Sequence, residues 1–219
     1  MLVQIYEVQT PEEAVALARL GVDHIGVLVG DCVFPRELSI AHTKGIFAAV
    51  PADKKRVALL LSADLEELGR VVAETRPDII QLQAAIDDFS VAMTRRLKTR
   101  FPQIPIMRAI PVIDEASIEI AASYRGVADF LLLDTYDTGT RQFGALGRTH
   151  DWNLSRRIVD EVGIPTVLAG GLGPDNVAAA IAAVRPAGVD SKTKTDRLEG
   201  SGKDLEKVQA FVTAAKLTR

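Results

Sequence analysis

Apolar positions along the chain fall into two alternating patterns. Compact runs recur at 2–8 (LVQIYEV), 24–29 (HIGVLV), 56–61 (RVALLL), 79–83 (IIQLQ), 104–110 (IPIMRAI), 130–135 (FLLLDT), 166–171 (TVLAGG) and 187–193 (AGVDSKT). Several are apolar at consecutive positions, the pattern of parallel strands covered on both faces. Between them lie stretches with apolar residues three and four apart, such as PEEAVALARL (11–20), DLEELGRVVAETR (64–76) and PDNVAAAIAAV (174–184); KDLEKVQAFVTAAK (203–216) closes the series. That spacing predicts amphipathic helices. Thr10 before Pro11, Ser62 to Asp64, and Pro174 with Asp175 supply helix caps or a proline suited to a first turn. Eight strands, each followed by a helix, predict a (β/α)8 TIM barrel; a doubly wound open sheet is the rival.

The length of 219 residues, with no linker, low-complexity tract or short repeat, fits a single barrel domain over 1–219. A composition of 47% hydrophobic and 25% charged residues supplies a sizeable core. The net charge of −3, without a basic stretch, argues against a nucleic-acid partner. No apolar run nears the roughly 18 residues of a membrane span, and the N-terminus lacks the order of a signal peptide. The single cysteine, Cys32, rules out an intrachain disulfide, so a cytoplasmic setting is expected. The three histidines lack a metal-ligand spacing, and neither a metal nor another cofactor is expected. Homo-oligomer formation stays open.

In such a barrel, chemistry sits at the C-terminal ends of the strands. Here those ends offer Tyr6 and Glu7, the loop from Gly30 to Arg36, Ser62, Gln81 and Gln83, Arg108, Asp134, Gly170 and Gly171, and Asp190 to Lys194. Packing alone does not call for so polar a set. Gly170 and Gly171 in LAGGLGPDNV (168–177) would let backbone N–H groups approach an anion beside a helix start, or would simply make a tight turn. After strand eight, Lys192, Thr193, Lys194 and Thr195 are suitable phosphate donors. A phosphorylated small molecule is therefore the expected partner.

Taken in order, several segments resemble the phosphoribosylanthranilate isomerases of tryptophan biosynthesis. FPREL (34–38) is similar to the family's Ser-Pro-Arg segment, IIQLQ to its Val-Gln-Leu-His-Gly and LLLDT to its Leu-Leu-Asp. GALGRTHDW (144–152) is similar to its Gly-Gly-Thr-Gly…Asp-Trp lid, and LAGGLGPDNV to its phosphate turn. GVD (188–190) opens its strand-eight motif, and GSGKDLEKVQAF (200–211) resembles its closing helix. The resemblance implies an Amadori rearrangement of an aminoaldose phosphate to an aminoketose phosphate, in which an acid opens the sugar ring and a base takes the C2 proton. It implies Asp134 as the acid, Arg36 facing the anthranilate portion of the substrate, and Asp190 near the substrate amine. Gln81 and Arg108 join the expected substrate contacts from their strand ends.

Strand one departs from the family. The family carries Lys-Ile-Cys-Gly there, with the cysteine as base; this chain has Gln4-Ile5-Tyr6-Glu7. A phenol with a pKa near ~10 is a poor base at neutral pH. Glu7 is the nearest replacement if its loop turns it inward, whereas strand alternation would point it at the helices. Cys32 is a second, relocated candidate. The family's histidine after strand four is Gln83 here, and its phosphate-approaching glycine after strand eight is Lys194, so charged side chains are expected to hold more of the phosphate. His150 in the lid is a further candidate proton carrier. The expected function is sugar-phosphate isomerisation by Asp134 and Glu7, in a reaction other than the standard tryptophan-pathway step. The alternatives are a phosphosugar lyase or aldolase with a Schiff base on Lys192 or Lys194, and a non-catalytic phosphometabolite-binding protein.

Overall fold

The computed structural model describes residues 1–140, 142–198 and 202–218. Eight parallel strands form the barrel: β1 (Leu2–Ile5), β2 (His24–Leu28), β3 (Lys55–Leu60), β4 (Ile79–Leu82), β5 (Ile106–Val112), β6 (Phe130–Asp137), β7 (Thr166–Leu168) and β8 (Gly188–Ser191). Each pairs with its sequence neighbour, and β8 closes on β1 in a register that sets Gln4 beside Asp190. The helices between them are α1 (Pro11–Arg19), α2 (Ile40–Ala49), α3 (Leu65–Thr75), α4 (Val91–Arg100), α5 (Ala116–Ser123), α6 (Trp152–Val162), α7 (Val177–Val184) and α8 (Leu205–Leu217). None among the described residues is long and apolar enough to cross a membrane. The molecule is a (β/α)8 barrel, not an open sheet.

Strand alternation divides the core in two. One apolar layer, including Ile5, Ile25, Leu60, Leu131 and Leu168, packs against the helices. A smaller set inside the barrel contains Val57, Ile79, Met107, Ala109, Leu132 and Val167. Helix starts follow local capping chemistry: Thr10 accepts from the Glu13 N–H, and Asp64 from those of Glu66 and Glu67. At α7 the expected start is corrected. The helix begins at Val177 rather than at Pro174, because Asn176 is engaged in the preceding turn: its side chain accepts from Gly173 N–H and donates to the Gly171 carbonyl.

Two strand ends differ from the sequence pattern in ways that move side chains. β1 stops at Ile5, and Glu7 takes a left-handed backbone with φ 60°. β5 runs on through Pro111 to Val112, so Arg108 lies in mid-strand and not at the barrel mouth. With Met107 and Ala109 facing inward, Arg108 faces the helices.

Candidate active site

At the C-terminal mouth, Tyr6, Asp134, Asp190 and Lys192 surround a cavity of about 20 Å³, completed by Gly170–Leu172, Thr193, Lys194 and the lid residues Ala145 and Gly147. That volume holds about one water molecule. Asp134 reaches it from the inner face of β6, where it is 3% exposed, and Asp190 from β8, 2% exposed. Thr135 N–H donates to Asp134 Oδ1 at 2.8 Å and Gln83 Nε2 to Oδ2 at 3.3 Å. Burial pushes the Asp134 pKa up to about 7 despite these donors. Asp190 is pushed well above the usual carboxylate range by burial and by Asp134, and its Oδ1 is buried without a hydrogen-bond partner among the described residues. Both carboxyl groups thus favour the protonated form more than an exposed aspartate does, and the Asp134 charge favours it further at Asp190.

Tyr6 fills the position of the missing thiol. Its ring packs on Leu28 and Leu59, and Gly26 makes room for it: a Cβ there would lie 2.7 Å from Tyr6 Cβ. Burial and the neighbouring carboxylates raise the phenol pKa well above its ordinary value, so Tyr6 stays protonated and cannot take over as base.

Glu7 sits behind this cavity and does not line it. Its Oε2 is 3.1 Å from Arg36 Nε and 3.3 Å from Lys192 Nζ. Arg36, itself at φ 65°, donates from Nη1 to Asp196 Oδ2 at 3.1 Å, and buried Lys203 donates to Asp196 Oδ1 at 2.6 Å. Three cations and two carboxylates thus form one network, and Glu7 neutralises cations within it. The sequence offered no sign of this role: the left-handed turn at Glu7 breaks the alternation behind the helix-facing reading and turns the side chain to the cations rather than into the cavity. Arg36 does not line the cavity, and its buried Nη2 has no hydrogen-bond partner among the described residues. The Lys192 ammonium is held by Glu7 and by Asp196, 3.6 Å away, whereas Lys194 is exposed at the rim beside Gly173.

Two expected substrate contacts are corrected. Arg108 is fully buried behind the sheet, donating to the Leu82 and Phe89 carbonyls and to Tyr124 Oη. It braces the link from β4 to α4. Gln81 is 1% exposed and lies beneath the cavity, bonded to Gln4 and Gln83. Cys32 is exposed on a separate surface groove with Lys44 and Arg70. His150 is held by Ser155 Oγ at 2.7 Å and neighbours Thr135; burial lowers its pKa to about 4, which leaves it neutral.

The lid extends β6. Tyr136 and Asp137 pair antiparallel with Phe143 and Gln142, and Asp137 accepts from the Gly139 and Thr140 N–H groups. Gly144, at φ 75°, rests on Asp134 so closely that a Cβ would strike the carboxylate and lie 2.8 Å from Gln83 Nε2. Farther along, the Arg148 backbone covers Gly171. Asn176 was not singled out in the sequence, although an Asn immediately before an apolar helix is a signal for a turn brace. The family's closing segment also includes Gly200 and Ser201, which lie outside the described residues.

Paired buried carboxylates at the mouth of a parallel barrel, beside a glycine turn and a lysine rim, define a (β/α)8-barrel enzyme site. Residues 3–214 match the family model of N-(5'-phosphoribosyl)anthranilate (PRA) isomerase. An N-(5'-phosphoribosyl)anthranilate isomerase of Methanocella arvoryzae is 36% identical over 218 residues, covering 99% of each chain. A solved phosphoribosyl anthranilate isomerase in complex with reduced 1-(o-carboxyphenylamino)-1-deoxyribulose 5-phosphate superposes with TM-score 0.82 at 26% identity, covering 99% of this chain and 98% of the other. Monomers generated from the dimeric enzyme of Thermotoga maritima give TM-score 0.81 at 26% identity and the same coverage. The chain belongs to the N-(5'-phosphoribosyl)anthranilate isomerase family.

Proposed function

We propose that this enzyme catalyses the Amadori-type isomerisation of a phosphorylated aminoaldose to an aminoketose, with Asp134 and Asp190 moving the protons. The observation that carries this reading is the pair of buried carboxyl groups facing one cavity, both with raised proton affinity. Asp134, substantially protonated at a pKa of about 7, protonates the ring oxygen. Ring opening leaves an imine cation on the former anomeric carbon. That cation, next to Asp190, offsets the burial that otherwise keeps Asp190 protonated. Asp190 passes its proton to the Asp134 carboxylate that ring protonation left behind and then takes the C2 proton; the resulting enolamine gains a proton from solvent at C1 and loses its 2-hydroxyl proton, giving the ketose. Glu7, expected as the base from the sequence, instead keeps Arg36 and Lys192 in place.

The substrate's phosphate is assigned to Gly170, Gly171, Lys192, Thr193 and Lys194, which line the cavity together. Arg36 Nη2 is the assigned donor to a substrate carboxylate. A cavity of about 20 Å³ is too small for such a molecule, so the lid must lift from Asp134 to admit it. N-(5'-phosphoribosyl)anthranilate is the first substrate to assay, because the relatives described above carry that activity in their names. The sequence-based expectation of a different reaction rested on the missing thiol, and the carboxyl pair supplies a base without one. Native chain and Asp190→Asn should both be assayed for conversion. Turnover by the native chain and a loss of at least about 100-fold in the variant are expected; an equally active variant removes Asp190 from the chemistry. A Schiff base on Lys192 finds less support, since its Nζ is tied up by the carboxylates of Glu7 and Asp196.

A further inference from the structure

Beneath the cavity, a chain of amides crosses the barrel interior. His24 Nδ1 on β2 lies 3.1 Å from Gln4 Oε1 on β1. Gln4 Nε2 donates across the lumen to Gln81 Oε1 on β4 at 2.8 Å. Gln81 Nε2 donates to Gln83 Oε1 at 3.3 Å, and Gln83 Nε2 donates to Asp134 Oδ2 on β6 at 3.3 Å. Gln4 also lies beside Asp190 in the β1–β8 register, where its amide favours the Asp190 carboxylate. None of the four side chains is on a residue more than 5% exposed.

Barrel interiors are ordinarily filled by branched apolar residues, and buried amides are costly unless their bonds run in a consistent sense. Here the sense is uniform: every amide accepts on its oxygen side and donates toward Asp134. An imidazole donating from Nδ1 starts the chain and a carboxylate ends it, so reversing any one amide sets donor against donor. Burial lowers the His24 pKa to about 4, which keeps the ring neutral and able to play this part.

We propose that Gln4, Gln81 and Gln83 form a positioning relay that orients the Asp134 carboxyl, links it to Asp190 and sets how tightly Asp134 holds its proton. The catalytic meaning of the relay rests on the proposed isomerisation, although its effect on Asp134 does not. Aligned amides present their positive ends to Asp134 and favour its ionised form against burial, and each bond polarises the next. The other ionisable groups around Asp134 are Tyr6 after β1, Asp190 on β8, and Lys192 and Lys194 on the rim, with Glu7 behind. Gln81 contacts none of them through its two amide bonds, so its substitution isolates the relay.

Gln81→Met keeps much of the volume and removes both bonds; Gln4→Met cuts the same chain one link earlier. The Asp134 carboxyl can be titrated by ¹³C NMR without substrate, its signal assigned through Asp134→Asn. Either folded variant should raise the midpoint by about one unit, a tenfold tighter hold on the proton. In the native chain, the Gln81 and Gln83 side-chain amide signals should shift with the Asp134 midpoint. A folded variant with an unmoved midpoint, or native amide signals that ignore the titration, overturns the relay. Because no substrate is used, failure of the proposed isomerase activity would leave this result untouched.

Discussion

Asp134 and Asp190 differ in their hydrogen bonds more than in their burial. Asp134 receives two donors, while Asp190 keeps an oxygen at the cavity with no partner among the described residues. The first is thereby suited to exchange a proton near neutrality, and the second waits for a cation to make it a base. A stability signature follows with a definite sign. The folded pKa of Asp134, about 7, lies above its ordinary 3.8. Its contribution to stability is therefore fully present below the unfolded pKa and is lost as pH rises through the folded one. Asp134→Asn cannot ionise and escapes that loss. The melting temperature of the variant relative to the native chain should rise between about pH 5 and about pH 8 in thermal unfolding; an unchanged difference would contradict the assignment. Asp134 was legible as the aspartate of LLLDT, the strand-six segment resembling the family. Glu7 was not, because a left-handed turn leaves no mark in a residue pattern.

The lid joins the acid to the phosphate turn as one piece of β6. Gly144 lies on Asp134 and the Arg148 backbone lies on Gly171, so the same segment seals both ends of the site. Gly144→Ala puts a methyl group against the carboxylate and demands a left-handed backbone from alanine. We expect at least a tenfold loss in kcat/KM with a melting temperature within a few degrees of native, since the strain falls on a surface hairpin. Full activity would show that the lid does not close this way during turnover. The alternating strands and helices, and the caps at Thr10 and Asp64, were readable because apolar spacing and capping chemistry are local. The ends of β1 and β5 were not, because ladder bonds decide where a strand stops. Arg108 was misplaced for that reason: β5 continues two residues past the end of its apolar run, and the guanidinium turns toward Tyr124.

The whole barrel brings together groups that are far apart in sequence. Glu7, Arg36, Lys192, Asp196 and Lys203 make one network from the ends of β1, β2 and β8, with a net positive charge in a chain whose total is −3. That local excess suits a doubly anionic sugar phosphate. Inorganic phosphate or a phosphosugar at 100 times its Kd should stabilise the fold by about 2.7 kcal/mol, a shift of several degrees. Lys194→Ala should blunt the shift, as read by differential scanning fluorimetry; no shift with any phosphorylated ligand would remove the phosphate site. The proton chemistry is tested most directly by following conversion of N-(5'-phosphoribosyl)anthranilate in D2O by NMR, with Glu7→Gln and Asp190→Asn beside the native chain. The native chain should place solvent deuterium at C1 of the aminoketose, Asp190→Asn should abolish conversion, and Glu7→Gln should retain measurable turnover. Conversion that survives in Asp190→Asn but vanishes in Glu7→Gln would contradict the carboxyl-pair mechanism.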